Sequence, residues 1–460
     1  MQLEKFTAQE IAQLEKSAHE RIITHWASND DLAKEAKIFI GGEGCYLYDI
    51  KGRKFLDTFS SLITTAVGHG RPEIKDAIVR QLEALEFFPN YHDGFTVPQI
   101  RLADKMAEIA PGDLEVCFYL SSGSEANETA LRLARQHHWM HGKAHKYKVI
   151  ARRGSYHGTT LGTASYTGFT SLRECFEPLL PGALFAPQVK CHDCELGCKP
   201  ETCGLRCLKA VEDLIKWENS DTISAMIMDP LPGSNSGYPP PPPGYLQGIR
   251  ELCSKNDIFL IFDEVQTGFG KTGKWFACEN WGVTPDMMSV SKAITSGYLP
   301  LAIMLTSKKI ASAFQNTPGV EFRSGSTFGG HALSCAAALA NIAIMEKENL
   351  VARAAEIGKY LDRKFAQLKT RQRLVGEVHG MGTLWAIELT ADQATNLKLS
   401  VDAGTFIRDW CWQQGMILRN NGNILVIAPA LIISNDELDT VVALLEQALA
   451  AASKHFGLTQ

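Results

Sequence analysis

Five short runs, Val116–Leu120, Lys148–Ala151, Ile223–Met228, Ile258–Phe262 and Met287–Val290, are mostly apolar, and each ends in a polar or glycine-containing loop. A strand that buries one face alternates apolar and polar residues, whereas an unbroken apolar run must be covered on both. Helical patterns separate the runs. The order predicts an α/β fold with a mostly parallel sheet and crossover helices on its two faces. In an open sheet of this kind, ligands sit beyond the carboxyl ends of the strands. The side chains at those ends therefore bound the chemistry.

A chain of 460 residues is long enough for more than one domain. Residues 61–333 carry the runs and are read as the large domain. After about Ser334 the texture changes. An Ala-rich helix over Cys335–Glu348 leads to a second near Ala352–Leu368, then strand-like Thr383–Leu389, a helix near Ala403–Gln413, strand-like Ile424–Ile427 and a last helix over Glu437–Lys454. Residues 334–460 thus predict a smaller α+β domain, joined by the N-terminal segment 1–60. There an amphipathic helix is expected from about Thr7 to Ala27, and Gly44–Asp49 and Lys54–Asp57 flank a Lys51-Gly52-Arg53 turn. Pro239–Pro243 reads as a rigid extended loop.

Lys and Arg number 46 against 51 Asp and Glu, a net charge of −5, which leaves no basic footprint for nucleic acid. No apolar stretch is long enough to span a bilayer, and Met1–Lys5 has neither a secretory nor a transit character. The expectation is a cytoplasmic protein working on small molecules. The 12 cysteines are scattered apart from Cys191, Cys194, Cys198, Cys203 and Cys207, with His192 among them. A disulfide scaffold is not expected. Free thiols and a structural zinc site both suit that cluster, and no catalytic metal is expected.

Four strand ends carry candidate chemistry. Ser121-Ser122-Gly123-Ser124-Glu125-Ala126-Asn127 follows the first run and opens a helix through about Met140, so small residues and free N–H groups meet an anion there. Asp263 ends the Ile258–Phe262 run, where a carboxylate is costly without a partner such as a protonated pyridine nitrogen. Lys292 follows Met287–Val290, where burial would make its amine nucleophilic toward an aldehyde. Tyr156, in Ser155-Tyr156-His157-Gly158, offers a ring to stack on a flat cofactor. Taken singly, each has a plain structural reading: a turn, a capping acid, a surface lysine, a packed loop. Their convergence at strand ends sets them apart.

With these motifs the sequence resembles the class III (ω-amino acid) aminotransferases of fold type I. The likeness runs through Gly42–Asp49, Gly68–Ile74, Ser122–Asn127, Tyr156–Gly158, Asp263–Gly270, Ser291–Ala293, Gly297–Leu301 and Thr327–His331. The resemblance implies pyridoxal 5'-phosphate as cofactor. It implies that Lys292 is the Schiff-base and proton-transfer residue, and that Gly123 and Ser124 bind the phosphate. Tyr156 would stack on the ring, Val265 pack on its other face, Asp263 pair with the ring nitrogen and Gln266 lie near the ring hydroxyl. Thr327 would reach the phosphate of a neighbouring subunit, in a homodimer or a dimer of dimers. Arg419 would be the mobile arginine that clamps a carboxylate, with Ile63, Phe88 and Tyr156 also facing substrate.

Three positions depart from the family pattern: Asp229-Pro230 where Glu-Pro is usual, Ile63 where many amine transaminases carry Trp, and Asn420 after the arginine. The expected reaction is a ping-pong transfer from a terminal amine, an ω-amino acid such as a β-amino acid or taurine, a diamine or an arylalkyl amine. The acceptor would be a keto acid, pyruvate or 2-oxoglutarate. Decarboxylase, aminomutase and phospho-lyase outcomes use the same cofactor and stay open. A zinc-binding interaction protein organised by Cys191–Cys207 is the alternative from another class. Gly268–Gly273 fits a dinucleotide glycine fingerprint, but no helix pattern follows and no acidic residue ends a later strand, so that reading is rejected.

Overall fold

The computed structural model describes residues 3–32 and 34–458. Seven strands form the principal sheet, numbered here in chain order: β1 (Val116–Leu120), β2 (Lys148–Arg152), β3 (Ala183–Ala186), β4 (Ile223–Met228), β5 (Phe259–Asp263), β6 (Met287–Val290) and β7 (Ala302–Thr306). Their order across the sheet is β1-β7-β6-β5-β4-β2-β3. Every neighbouring pair is parallel except those made by β7, which runs antiparallel to both β1 and β6.

Both faces are covered, as unbroken apolar runs require. On one, Ile150, Met226, Leu260, Phe262 and Met288 join a core with helix residues Leu102 and Ile249. On the other, Val149, Ala225, Ile227 and Ile261 pack under Ala126, Ala130 and Leu133 of the helix Gly123–Met140. Each fully buried Ile or Leu of this kind contributes roughly 1.5–3 kcal/mol.

The five expected strands form, with β5 moved one residue on so that it ends at Asp263. The sequence reading missed β3 and β7. β3 is a four-residue edge strand, and β7 follows a Gly-Tyr-Leu-Pro turn without a helical crossover before it. The N-terminal helix spans Ala8–Arg21 and stops short of Ala27. Thr7 and Glu10 form a capping box at its start, while the β-branched run Ile22-Ile23-Thr24 disfavours its continuation.

The C-terminal part supplies the antiparallel strands Val375–Met381, Leu384–Asp392, Arg419–Asn421 and Ile424–Ile427, packed under helices Leu350–Arg371 and Asn435–His455. The strands Phe39–Glu43, Tyr46–Asp49 and Lys54–Asp57 form a second sheet, which Met416–Ile417 joins in parallel. The helix Ala332–Lys347 spans the 333/334 boundary drawn from the sequence. Its Cys335, Ala338 and Ile342 share the core of the principal sheet with Ile74 and Met106. Among the described residues no helix is long and apolar enough to cross a membrane.

Candidate active site

Beyond the carboxyl ends of β1, β5 and β6 lies a cavity of about 1000 Å³, lined by Gly123, Ser124, Tyr156, Asp263, Val265, Gln266, Lys292, Ile63 and Arg419 among others. Nine residues singled out in the sequence thus share one space. Thr327 and Phe88 do not line it; both are exposed.

The N-terminus of the helix Gly123–Met140 opens on this cavity. Ser122 caps it by accepting a hydrogen bond from the Glu125 N–H, and the Ser121 N–H donates to the Glu125 carboxylate at 3.0 Å. Glycine at 123 is a packing requirement: a Cβ there would lie 2.9 Å from both methyl groups of Val265. A Cβ on Gly158, whose φ is +144°, would lie 2.5 Å from Ser124 Oγ. Backbone and small side chains are thereby drawn together at a helix start, the arrangement that holds a phosphate.

Asp263 is 7% exposed. Its Oδ2 accepts from Asn127 Nδ2 at 2.7 Å and lies 2.9 Å from His157 Nδ1, while Oδ1 accepts from the Val265 N–H at 3.1 Å. Three donors suit an ionised carboxylate, which can in turn keep a facing ring nitrogen protonated. Asn127 and His157 lie within motifs that carry the family resemblance, but nothing in the sequence pairs them with Asp263. They come from segments 136 and 106 residues away.

Lys292 follows β6 in a left-handed conformation, φ +47°, which a side chain adopts only where its surroundings impose it. The imposition is visible. Asn341, from the helix Ala332–Lys347, donates to the carbonyls of Ala293 and Ile294 at 2.9 and 3.0 Å. Its Oδ1 accepts from Ser296 Oγ at 2.6 Å. The lysine keeps contact with water through the cavity, while protein encloses it elsewhere. Burial pushes its amine down to about 8, against the opposing pull of the Asp263 carboxylate. No hydrogen bond or ion pair engages it among the described residues. An amine so held is available to an aldehyde. Burial, and then the Asp263 charge, raise the Tyr156 phenol above its ordinary value, so the ring is a neutral stacking surface.

The substrate side has an unusual wall. Ser60, Ser61, Leu62 and Ile63 all have positive φ, from 40° to 70°, and make one left-handed turn. Asp57 holds it, accepting from the Phe59 N–H at 3.1 Å, the Ser61 N–H at 2.7 Å and Ser61 Oγ at 2.8 Å. Ser60 Oγ donates to the Ala428 carbonyl and accepts from Lys271 Nζ at 3.1 Å. Trp26, Phe169 and Leu172 complete the apolar lining, and His25 also faces the cavity. None of these four carried a motif that could have announced them.

Arg419 is exposed at the rim, with Asn421 Oδ1 at 3.2 Å and no acidic partner among the described residues. The other two departures from the family pattern are engaged elsewhere. Asn420 Nδ2 donates to the Gly422 carbonyl at 2.9 Å, and Asp229 pairs with buried Arg152 and accepts from the Gly233 N–H at 2.6 Å. The five clustered cysteines are free thiols lining a separate small cavity with Pro200 and Pro242.

The sheet order and this strand-end cavity define an α/β enzyme of fold type I. The chain belongs to the class-III aminotransferases, whose family description matches residues 33–449. It is 36% identical over 433 residues to an adenosylmethionine-8-amino-7-oxononanoate aminotransferase of Nitratidesulfovibrio vulgaris, covering 93% of this chain and 79% of that protein. It is 34% identical over 436 residues to the taurine–pyruvate aminotransferase of Bilophila wadsworthia, covering 92% and 94%. The solved structure of an (S)-enantioselective ω-transaminase from Thermomicrobium roseum superposes with a TM-score of 0.93 at 33% identity, covering 98% of this chain and 100% of that one. The family is pyridoxal-phosphate-dependent and transfers amino groups between amines or ω-amino acids and keto acids.

Proposed function

We propose that the chain moves an amino group from a terminal amine or ω-amino acid to pyruvate, in two half-reactions through one site. The observation that carries this reading is the convergence of a helix-start anion nest, a buried carboxylate and an unpaired amine on one cavity with an unpaired arginine at its rim. The residue set suits pyridoxal 5'-phosphate. Gly123 and Ser124 would hold its phosphate, Asp263 its ring nitrogen and Gln266 the region of its hydroxyl, with Tyr156 and Val265 on its two faces. The bound cofactor supplies an electron sink conjugated to the substrate nitrogen.

The chain supplies the rest. Lys292 Nζ would hold the cofactor covalently and, as an amine lowered to about 8 by burial, would move a proton at the substrate carbon next to the nitrogen. Asp263, oriented by Asn127 and His157, would keep a positive charge on the ring nitrogen facing it. Arg419 meets the carboxylate of an ω-amino acid or of pyruvate through its planar fork and can turn outward for an apolar amine. Ile63 leaves more room at the wall than an indole would. Pyruvate is favoured as acceptor because the taurine-using relative is named for it.

Thr327 and Phe88 belong to this reading through a second copy of the chain. Phe88, Tyr91, Phe95, Val97 and Phe328 are all exposed, an apolar density that suits a subunit interface. In the homodimer, Thr327 would reach the partner's phosphate site and Phe88 its substrate.

The test is a half-reaction screen. Amines are mixed singly with the cofactor-loaded protein while the absorbance of the lysine-bound cofactor is followed, and pyruvate or 2-oxoglutarate is then added. Loss with an ω-amine and recovery with pyruvate is the expected result. Release of carbon dioxide or phosphate without dependence on a keto acid would overturn it. Borohydride reduction and peptide mapping should place the adduct on Lys292.

A further inference from the structure

The most unusual polar cluster outside the catalytic cavity joins the cysteine-rich loop to the C-terminal sheet. His192 lies in the turn Cys191–Asp193, His379 on the strand Val375–Met381 and Glu388 on the strand Leu384–Asp392. His379 pairs across the ladder with Ala386, two residues before Glu388, so the imidazole and the carboxylate are diagonal neighbours on one face. The two imidazole rings stack with centroids 4.2 Å apart and planes 28° from parallel. His192 Nε2 lies 3.2 Å from Glu388 Oε1. One ligand atom from each of the three residues falls within 4.8 Å of the other two.

Two observations point beyond a plain polar clasp. His379 Nε2 is buried with no hydrogen-bond partner, although a buried unpaired nitrogen costs about 1–3 kcal/mol. Stacking also sets two imidazoles face to face where a direct bond between them is impossible, so neither satisfies the other. Glu388 divides its oxygens: Lys190 Nζ takes Oε2 at 2.7 Å, and Oε1 is left to the histidines.

We propose that His192, His379 and Glu388 bind a divalent ion of the zinc type, as a structural site tying the 188–207 loop to the C-terminal sheet. Two nitrogens and one carboxylate oxygen suit a borderline transition metal, whereas calcium and magnesium take oxygen sets. Metal–ligand bonds of about 2.0–2.2 Å put tetrahedral ligand atoms roughly 3.3 Å apart. One pair already stands at 3.2 Å, and the stacked rings must swing apart about their side-chain bonds for both nitrogens to face one ion. Water completes the fourth position. The neighbouring thiols are not the ligands. Among the described residues no other three His, Cys, Asp or Glu groups bring ligand atoms this close.

The consequence reaches toward catalysis only by support. A Cβ on Gly237 would lie 3.0 Å from Glu388 Oε1, and Ser234, at the start of the same turn, lines the catalytic cavity. The ion would brace that turn from behind.

The experiment uses the cofactor-loaded protein, stripped with a chelator and dialysed against zinc chloride, with bound metal counted per chain. One zinc per chain is expected. His192→Gln and His379→Gln should each weaken binding at least tenfold, roughly the least that losing a ligand costs. A chain with Cys191, Cys194, Cys198, Cys203 and Cys207 all changed to Ser should keep the ion. Cobalt supplies a readout independent of variants: tetrahedral d–d absorption without a thiolate charge-transfer band. Substoichiometric zinc in the parent protein, unchanged affinity in both histidine variants, loss in the five-serine chain, or a thiolate band would each overturn the proposal.

Discussion

Asp263 shows how little of a residue's role lies in the residue. Its place at the end of an apolar strand was legible, because a carboxylate after Phe259–Phe262 has nowhere apolar to go. Its partners were not, since Asn127 and His157 meet it only when the segments that follow β1 and β2 converge on the end of β5. Asp263→Asn keeps the shape and removes the charge. Activity should fall by about 100-fold or more while the fold survives, measured as kcat/KM with cofactor in excess. Lys271 teaches the converse. It lies within the rejected glycine fingerprint and is fully buried, with Nζ on Ser60 Oγ and 3.4 Å from the Pro429 carbonyl. Burial pushes its amine down to about 7, against the pull of Asp57. The unfolded chain holds that proton up to the ordinary lysine value near 10.4, so between the two values it binds more protons than the folded one. Stability therefore rises with pH across this window, by about 1.4 kcal/mol per unit at most, and is lost on descending toward 7. In Lys271→Met this increment should vanish, as read from urea midpoints of both proteins at pH 7.5 and 9.5.

At the scale of elements, the five apolar runs set apart by helical patterns announced themselves, whereas β7, buried at every residue but joined to β6 without a crossover helix, and one turn did not. The left-handed segment Ser60–Ile63 has no Gly or Asn to mark it. Its conformation is imposed from outside, by Asp57 beneath it and by Ser60 pinned between Lys271 and the Ala428 carbonyl. A left-handed conformation costs a side chain roughly 1–2 kcal/mol. Leu62, with φ +70° and 60% of its surface exposed, gives up little burial if truncated. Leu62→Gly should therefore raise stability by about 1 kcal/mol in chemical denaturation. The same change strips one wall of the cavity, so KM for a bulky arylalkyl amine should rise. A fall in stability would mean that the strain is smaller than the angles suggest.

For the molecule as a whole, the family and the layered fold were readable because they rest on contiguous motifs and hydrophobic runs. Phe88 and Thr327 lie outside the chain's own cavity; for Thr327 the resemblance already implied a neighbouring subunit, whereas Phe88 was expected to face substrate with no subunit specified. Their exposure belongs with the apolar surface of Phe95, Val97 and Phe328. Phe95→Asp plants a charge there. The dissociation constant of the proposed homodimer should rise at least about tenfold by sedimentation, with activity falling in step as the protein is diluted.

The single reversed strand, β7, has an architectural effect on what selection can alter. It holds β1 and β6 two strand spacings apart, roughly 10 Å, by main-chain hydrogen bonds that no side-chain substitution adjusts. The anion nest and Lys292 are mounted on those two strands like the jaws of a fixed-gap caliper. Leu62, Ile63 and Trp26 stand outside the gauge, on segments with no share in that ladder. On the proposed function, preference for one amine over another could therefore drift while Gly123, Ser124 and Lys292 keep their spacing.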